Sequence, residues 1–360
     1  MKNETRVIDT SIDKLKRIYH ISDIQIRNLK RHKEFELVFN KLYEEIKKQP
    51  EDSVVYIGGD IAHSKTEMSP ELVDQLSRLF KNLSDIVPTI IIAGNHDCNL
   101  NNQHRLDVLT PIVENLNHPN LYYFKDSGVY KFADVSFVVW DVWDKEEDYL
   151  RAENVEGDTK VLLYHGTVDQ SLTDLGFKLP SKVKMESMDG FDMVLLGDIH
   201  KMQTLQEYDK SSGKPIIRYC GSLVQQNYGE ALLGHGISVW DVESRTFTHK
   251  ELPNDYGHIT IDVVDGKIVT EDWATLVPKN GRLRLRSKNT TDTELKKVLS
   301  IIKNDNPKLS ESKIYKVDSI ITDNSTGNKI SIGDVSNVDY QNELILNYVK
   351  DEYFVDDNTE

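Results

Sequence analysis

Two cysteines, Cys98 and Cys220, are all the thiol this 360-residue chain carries. That is too few for a disulfide framework and suits a reducing cytosol. Long apolar runs are missing as well. No stretch reaches eighteen consecutive apolar residues, which excludes a membrane-spanning helix on length. Residues 1–16 are polar and charged, without the apolar centre of a secretory signal, so the expected compartment is the cytoplasm. Internal repeats and low-complexity tracts are absent too. Positive charge is the last shortage: 44 Lys and Arg stand against 59 Asp and Glu, a formal net charge of −15. Such a balance argues against broad, nonspecific adhesion to nucleic acid, whose electrostatic footprint is basic. It leaves room for a nuclease, because bound cations and local basic patches can receive phosphates.

What the chain does have is one arrangement repeated five times. The apolar run Ile90–Ala93 stops at Gly94-Asn95-His96-Asp97, and Ile18–Ser22 ends at Asp23 and Gln25. Val54–Ile57 ends at Gly58-Gly59-Asp60, with His63 just beyond. Val161–Tyr164 ends at His165-Gly166, and Met193–Leu196 at Gly197-Asp198-Ile199-His200. Short β-rich runs cut off by glycine read as buried strands. In open α/β sheets sites lie outside the carboxyl ends of strands, so these residues can converge although far apart in sequence. A lone Asp after a strand more often caps a turn; recurrence at five strand ends favours ligands. His63 has a surface histidine as its rival reading, and Asp97 reads as a loop anchor. Asp23, Gln25, Asp60, Asn95, His165, Asp198 and His200 offer carboxylates, amides and imidazoles but no thiolate. That mixture favours manganese or iron, with zinc a further option, over a structural zinc site.

Around those strands, Phe35–Ile46, Leu72–Phe80 and Leu106–Leu116 show helical apolar spacing, the second opened by Ser69-Pro70. Strand–helix alternation predicts a layered α/β domain. From Leu121 to Asp141 the pattern becomes strand-like, predicting a second sheet, and 146–159 reads as a charged surface excursion. Turn chemistry at Pro253–Gly257 marks a boundary, followed by a small α+β unit with a helix over Thr293–Asn304. Arg282, Arg284 and Arg286 alternate along one strand, where an exposed, solvated face is the favoured reading over DNA contact. Residues 335–360 form an acidic tail with an apolar cluster.

Taken in order, these motifs resemble the calcineurin-like metallophosphoesterases. Gly59-Asp60-Ile61-Ala62-His63 and the run Tyr219–Glu230 are similar to one branch, the nuclease subunit of the SbcC–SbcD complex, with its meiotic-recombination and phage recombination relatives. The resemblance implies a four-layer αββα sandwich with a smaller α+β capping domain. By it, residues 1–252 would be the nuclease domain and 253–334 the DNA-capping domain, with the acidic tail 335–360 read either as frayed helix or as a segment that docks on the ATPase. It implies two divalent cations, most simply manganese. Asp23, Gln25, Asp60 and His200 would surround one and Asp60, Asn95, His165 and Asp198 the other. His96 would protonate the departing oxygen and His63 would contact the scissile phosphate. Candidate DNA contacts are Arg27, Lys30, Arg31 and Lys33. Implied partners are DNA, an SMC-like ATPase of the SbcC type and a second copy of the chain, with no membrane, in a nucleoid-associated setting that could be phage- or virus-encoded. Gln25 departs from the family pattern, which has histidine there, and Asp198 stands where histidine is common. Small-substrate phosphodiesterase or phosphatase activity, or a weakly active assembly subunit, are the alternatives.

Overall fold

The computed structural model describes residues 5–309, 311–316, 321–322 and 329–330; the tail assigned to 335–360 lies outside the described residues. Two compact units are present, Met1–Asn254 and Asp255–Glu360. Strands and helices of the first, in chain order, are β1 (Thr5–Ile8), β2 (Arg17–Ile21), α1 (His32–Ile46), β3 (Ser53–Gly58), α2 (Pro70–Ser84), β4 (Thr89–Ile92), α3 (Thr110–Leu116), β5 (Leu121–Tyr123), β6 (Gly128–Phe132), β7 (Val135–Trp140), β8 (Thr159–His165), β9 (Met193–Gly197), β10 (Gln203–Gln206), β11 (Ile216–Tyr219), β12 (Gly236–Asp241) and β13 (Thr246–Glu251). They build two sheets, ordered β13-β12-β2-β3-β4-β5 and β1-β6-β7-β8-β9-β11-β10. The strands that end in candidate ligands are parallel neighbours: β2, β3 and β4 in the first sheet, β8 and β9 in the second.

Alternation along each strand decides the layers, since successive side chains face opposite ways. On β3, Val54 and Tyr56 point between the sheets with Val161 and Leu163 of β8. Val55 and Ile57 point outward, onto Phe35, Val38 and Leu42 of α1 and Leu76 and Leu79 of α2. Ser69 caps α2 as predicted, its hydroxyl accepting Leu72 N–H at 3.2 Å. The expected helix from Leu106 is shorter, starting at Thr110. Asp107 takes the N–H groups of Leu109 and Thr110 at 2.9 and 2.7 Å and holds that turn open, leaving Leu106 exposed.

Among the described residues, no long helix covers the outer face of the second sheet. Three 3-10 turns, Glu146–Asp148, Ala152–Asn154 and Met185–Met188, cover it instead. Here the reading of 146–159 as a surface excursion needs correction. Tyr149, Ala152 and Val155 are buried against the sheet, and Tyr149 stacks on Trp140 with ring centroids 4.1 Å apart. Charged residues dominate the segment, yet three apolar ones anchor it.

In the second unit, β14 (Tyr256–Val264), β15 (Lys267–Ile268), the short α4 (Trp273–Leu276), β16 (Asn280–Lys288), α5 (Asp292–Asp305) and β17 (Glu311–Lys316) are followed by the pair β18 (Ile321–Thr322) and β19 (Lys329–Ile330). Leu295, Val298 and Ile302 of α5 lie in one core with Ile259, Ile261, Leu283 and Leu285. Thr291 and Glu294 close a capping box at the start of α5. The arginines of β16 do not form an open cationic face. Arg282 is buried beside the Tyr256 ring, Arg284 donates to Thr260 Oγ1 at 2.8 Å, and Arg286 grips Asp262 at 2.7 and 2.8 Å.

Candidate metal centre

The predicted ligand residues meet where the carboxyl ends of the two sheets come together. His165 on β8 reaches across to β3, its Nδ1 donating to Gly58 O at 2.7 Å. Asp198 N–H, after β9, donates to both carboxylate oxygens of Asp23 at 3.3 and 3.2 Å. Glycine makes these approaches possible: a Cβ on Gly94 would lie 2.2 Å from Asp60 Oδ1, and one on Gly197 would lie 2.1 Å from Gly58 O. Asp23, Gln25, Asp60 and Asp198 themselves hold φ of 51°, 48°, 51° and 97°. A non-glycine residue in that left-handed region costs about 1 kcal/mol. The strain is held in place by main-chain bonds from Asp23 N to Gly59 O and from Gln25 N to Asp60 O.

Asp60 is the hub. His165 Nε2 lies 3.2 Å from its Oδ1 and 3.0 Å from Asn95 Oδ1. His96 N–H donates to Oδ1 at 2.8 Å, and His96 Nε2 stands 3.8 Å from Oδ2. On the other side His200 Nε2 is 3.8 Å from Asp23 Oδ1. Ligand atoms of Asp23, Asp60 and His165, all buried, lie within 4.8 Å of one another. Burial, more than any neighbouring charge, pushes Asp23 up to about 6. Burial would raise Asp60 too, but the charge and hydrogen bond of His165 hold it at about 2. Burial works against a charged His165, whose proton affinity Asp60 nevertheless lifts well above the ordinary imidazole value. His200, disfavoured as a cation by burial, is raised to about 9 by Glu230 and Asp23.

These residues fit a divalent cation. The Gly58 carbonyl can only accept, so His165 carries its proton on Nδ1; the Glu230 carboxylate, 2.8 Å from His200 Nδ1, fixes that ring the same way. His200 Nε2 faces Gln25 Nε2 at 3.2 Å and Asp23 Oδ1 at 3.8 Å, whereas a neutral His165 aims a bare Nε2 lone pair at Asp60 and Asn95 oxygens that are also lone-pair donors. Only a proton or a cation relieves that opposition, and the second-sphere acceptors are those that orient metal-ligating histidines.

Gln25 behaves differently from the expectation. Arg27 Nη1 can only donate, so His63 Nε2, 3.2 Å away, accepts. His63 Nδ1–H then donates to Gln25 Oε1 at 3.2 Å. That leaves Gln25 Nε2 facing His200 Nε2 at 3.2 Å and Asp60 Oδ2 at 3.5 Å. Burial and the Arg27 charge push His63 down to about 4, in keeping with its neutral role. The amide turns its nitrogen, which has no lone pair to give, toward the site and its oxygen toward His63, whereas the reading of Gln25 as a metal ligand needs that oxygen inward. His63 stacks against His96 with centroids 5.7 Å apart. His96 Nδ1 lies 2.8 Å from His63 O, so it carries a proton and leaves Nε2 open.

Among the expected DNA contacts, Lys30 and Lys33 are exposed and Arg27 is half-buried at His63. Arg31 is a correction. Its guanidinium is tied bidentate to buried Glu34 at 2.8 Å and donates to Gln225 O at 2.7 Å, so it anchors a turn. Three supporting residues were not legible as such: Glu230, Thr167, whose hydroxyl donates to Asp198 at 2.7 Å, and Ser22, which donates to Asp23 at 2.6 Å. Asp97 anchors its loop by accepting N–H bonds from Ile61, Ala62 and Gly94.

The model of the calcineurin-like phosphoesterase family matches residues 16–218, the span that supplies all of these ligands. The chain belongs to that family. Calcineurin-like phosphoesterases use divalent metals, in agreement with the donor set above. This phosphoesterase is 40% identical over 306 residues to an uncharacterized protein of Acanthamoeba polyphaga mimivirus, covering 81% of this chain and 22% of that one. It is 25% identical over 273 residues to a Staphylococcus epidermidis protein named as the SbcD component of the nuclease SbcCD, covering 68% and 67% of the two. A solved structure of GAP50, the anchor in the inner membrane complex of Plasmodium, aligns at 11% identity and TM-score 0.36 over 66% of this chain and 89% of that one. No described helix is long and apolar enough to cross a membrane.

Proposed function

We propose that this phosphoesterase is a manganese-dependent DNA nuclease, the SbcD-type member of a recombination and double-strand-break repair complex, cutting as an exonuclease and single-strand endonuclease. The observation that carries the reading is the ring of Asp23, Asn95, His165, Asp198 and His200 gathered about Asp60 where two sheets end. Asp23, Asp60 and His200 would hold one cation and Asp60, Asn95, His165 and Asp198 another. Two such cations, when bound, supply an activated water and neutralise the entering and leaving oxygens of a phosphodiester. Glu230 and the Gly58 carbonyl keep His200 and His165 turned Nε2-inward. His96, its Nδ1–H held on His63 O, would in its doubly protonated form pass the Nε2 proton to the departing sugar oxygen and be left as the neutral ring. Exposed Lys30 and Lys33 draw the phosphate backbone toward the cleft.

DNA as substrate is supported by the relative named for a nuclease. An apolar groove of about 520 Å³ between α2 and α3, lined by Met68, Val73, Leu106 and Ile112, suits a homodimer. The SbcC-type ATPase partner and the capping role of 253–334 rest on the family resemblance. Gln25 favours a second reading, a weakly active subunit that chiefly positions the ATPase.

Cleavage of linear duplex and circular single-stranded DNA, with manganese or magnesium, tests the proposal. Manganese-dependent cutting is expected, reduced about 10²–10⁴-fold in His96→Ala and abolished in Asp60→Ala. No cutting at saturating manganese, with partner ATPase and ATP present, would leave the assembly reading.

A further inference from the structure

A small hairpin beside the metal centre holds two large apolar side chains in solvent, and the chemistry above uses neither. Leu172 and Lys178 pair as an antiparallel bridge. Thr173 N–H donates to Phe177 O, Gly176 N–H to Thr173 O and Leu179 N–H to Ser171 O, each at 2.9 Å. Gly176 closes the turn at φ +85°, a conformation free of steric cost only to glycine. The hairpin is also clamped from outside. Gln203 accepts Leu172 N–H at 2.9 Å and donates to Leu172 O at 2.8 Å, while Asp174 accepts the Ala231 N–H at 3.3 Å. So fixed, the tip leaves Leu175 72% and Phe177 59% exposed. Both line a pocket of about 360 Å³ together with Ile199 and Lys201, and its remaining wall includes Asp198 and His200 of the metal centre.

A water-facing aromatic on a hydrogen-bonded hairpin beside the candidate metal centre, with Lys201 in the same pocket donating to Thr173 O at 3.4 Å, has the composition of a single-strand binding surface. There a base stacks on a ring while a cation meets the backbone. We propose that this pocket is a base platform: Phe177, flanked by Leu175, stacks the nucleobase adjoining the scissile phosphate. The proposal rests on the nuclease reading and refines its substrate class. A base inside a duplex already has both faces covered, so the platform admits unpaired nucleotides, single strands or frayed ends. It also fixes the nucleotide from the base side, leaving the phosphate to the metal ligands.

The test uses the full chain, manganese and a single-stranded DNA oligonucleotide with an abasic nucleotide scanned across the cut position. For the wild type, the abasic nucleotide beside the cleaved phosphate should lower kcat/KM about five- to hundredfold, the worth of one stacked base. Phe177→Ala should show that loss on intact DNA and no further loss on the abasic strand, whereas Phe177→Tyr should behave as wild type. With no metal added, 2-aminopurine at the same position should be quenched by wild type and not by Phe177→Ala. Both variants alter an exposed side chain, and an unchanged melting temperature confirms the fold. Equal cleavage of intact and abasic strands by wild type overturns the platform alone. Full cleavage by Phe177→Ala with lost binding of the partner ATPase overturns it in favour of protein docking. A wild type that hydrolyses a small chromogenic diester but no oligonucleotide overturns the nuclease reading and the platform with it.

Discussion

Arg27 can only donate, and that constraint propagates through His63 to Gln25, whose amide nitrogen ends 3.2 Å from the lone pair of His200. An imidazole at position 25 would return a lone pair to the site. Gln25→His is accordingly expected to lower the manganese concentration for half-maximal activity by about tenfold; coincident titration curves for the two forms would count against it. On the opposite flank, Glu230→Gln removes the carboxylate that orients His200. Calorimetric titration should then show manganese bound about 10–100-fold more weakly, and unchanged affinity would reduce Glu230 to a loop anchor. Asp23, Asp60, His165 and His200 were legible because each follows a strand whose apolar run ends abruptly. Glu230 follows no strand, and no spacing rule ties it to a histidine thirty positions earlier. The direction of the Gln25 amide was equally invisible, being set by Arg27 through a ring that arrives from another strand end.

Helix α3 owes its start to one carboxylate. Burial raises the Asp107 pKa, but bonds from Thr110 and Lys125 more than offset it and leave the group below its ordinary value. A group depressed in the folded state stabilises above its unfolded pKa and loses that contribution as pH falls through the folded one. Asp107→Asn should therefore cost about 1–2 kcal/mol at pH 7, with the gap to wild type narrowing below about pH 4; urea unfolding at the two pH values measures it. Amphipathic stripes made α1, α2 and α5 readable, because burial on one face imposes a 3.6-residue period. The cover of the second sheet imposes none. Its 3-10 turns and the residues beside them contribute single anchors such as Met188 and Tyr149, and a lone apolar residue in a charged segment carries no period to detect.

Across the whole molecule, the two units have separate hydrophobic cores, and all the candidate ligands belong to the first. Truncation after Asn254 should spare hydrolysis of a small chromogenic diester while impairing duplex DNA cleavage, the comparison that separates a capping role from a merely adjacent fold. Loss of both activities would show instead that the first unit depends on the second. The net charge of −15 places any nucleic-acid affinity in local features, since the arginine strand that promised a cationic face is engaged with Thr260, Asp262 and Tyr256. The left-handed backbone at Asp23, Asp60 and Asp198 sets durability against usefulness. A randomised library sorted only for heat tolerance would enrich glycine at those three places. Every such winner would have surrendered a carboxylate that the proposed centre uses.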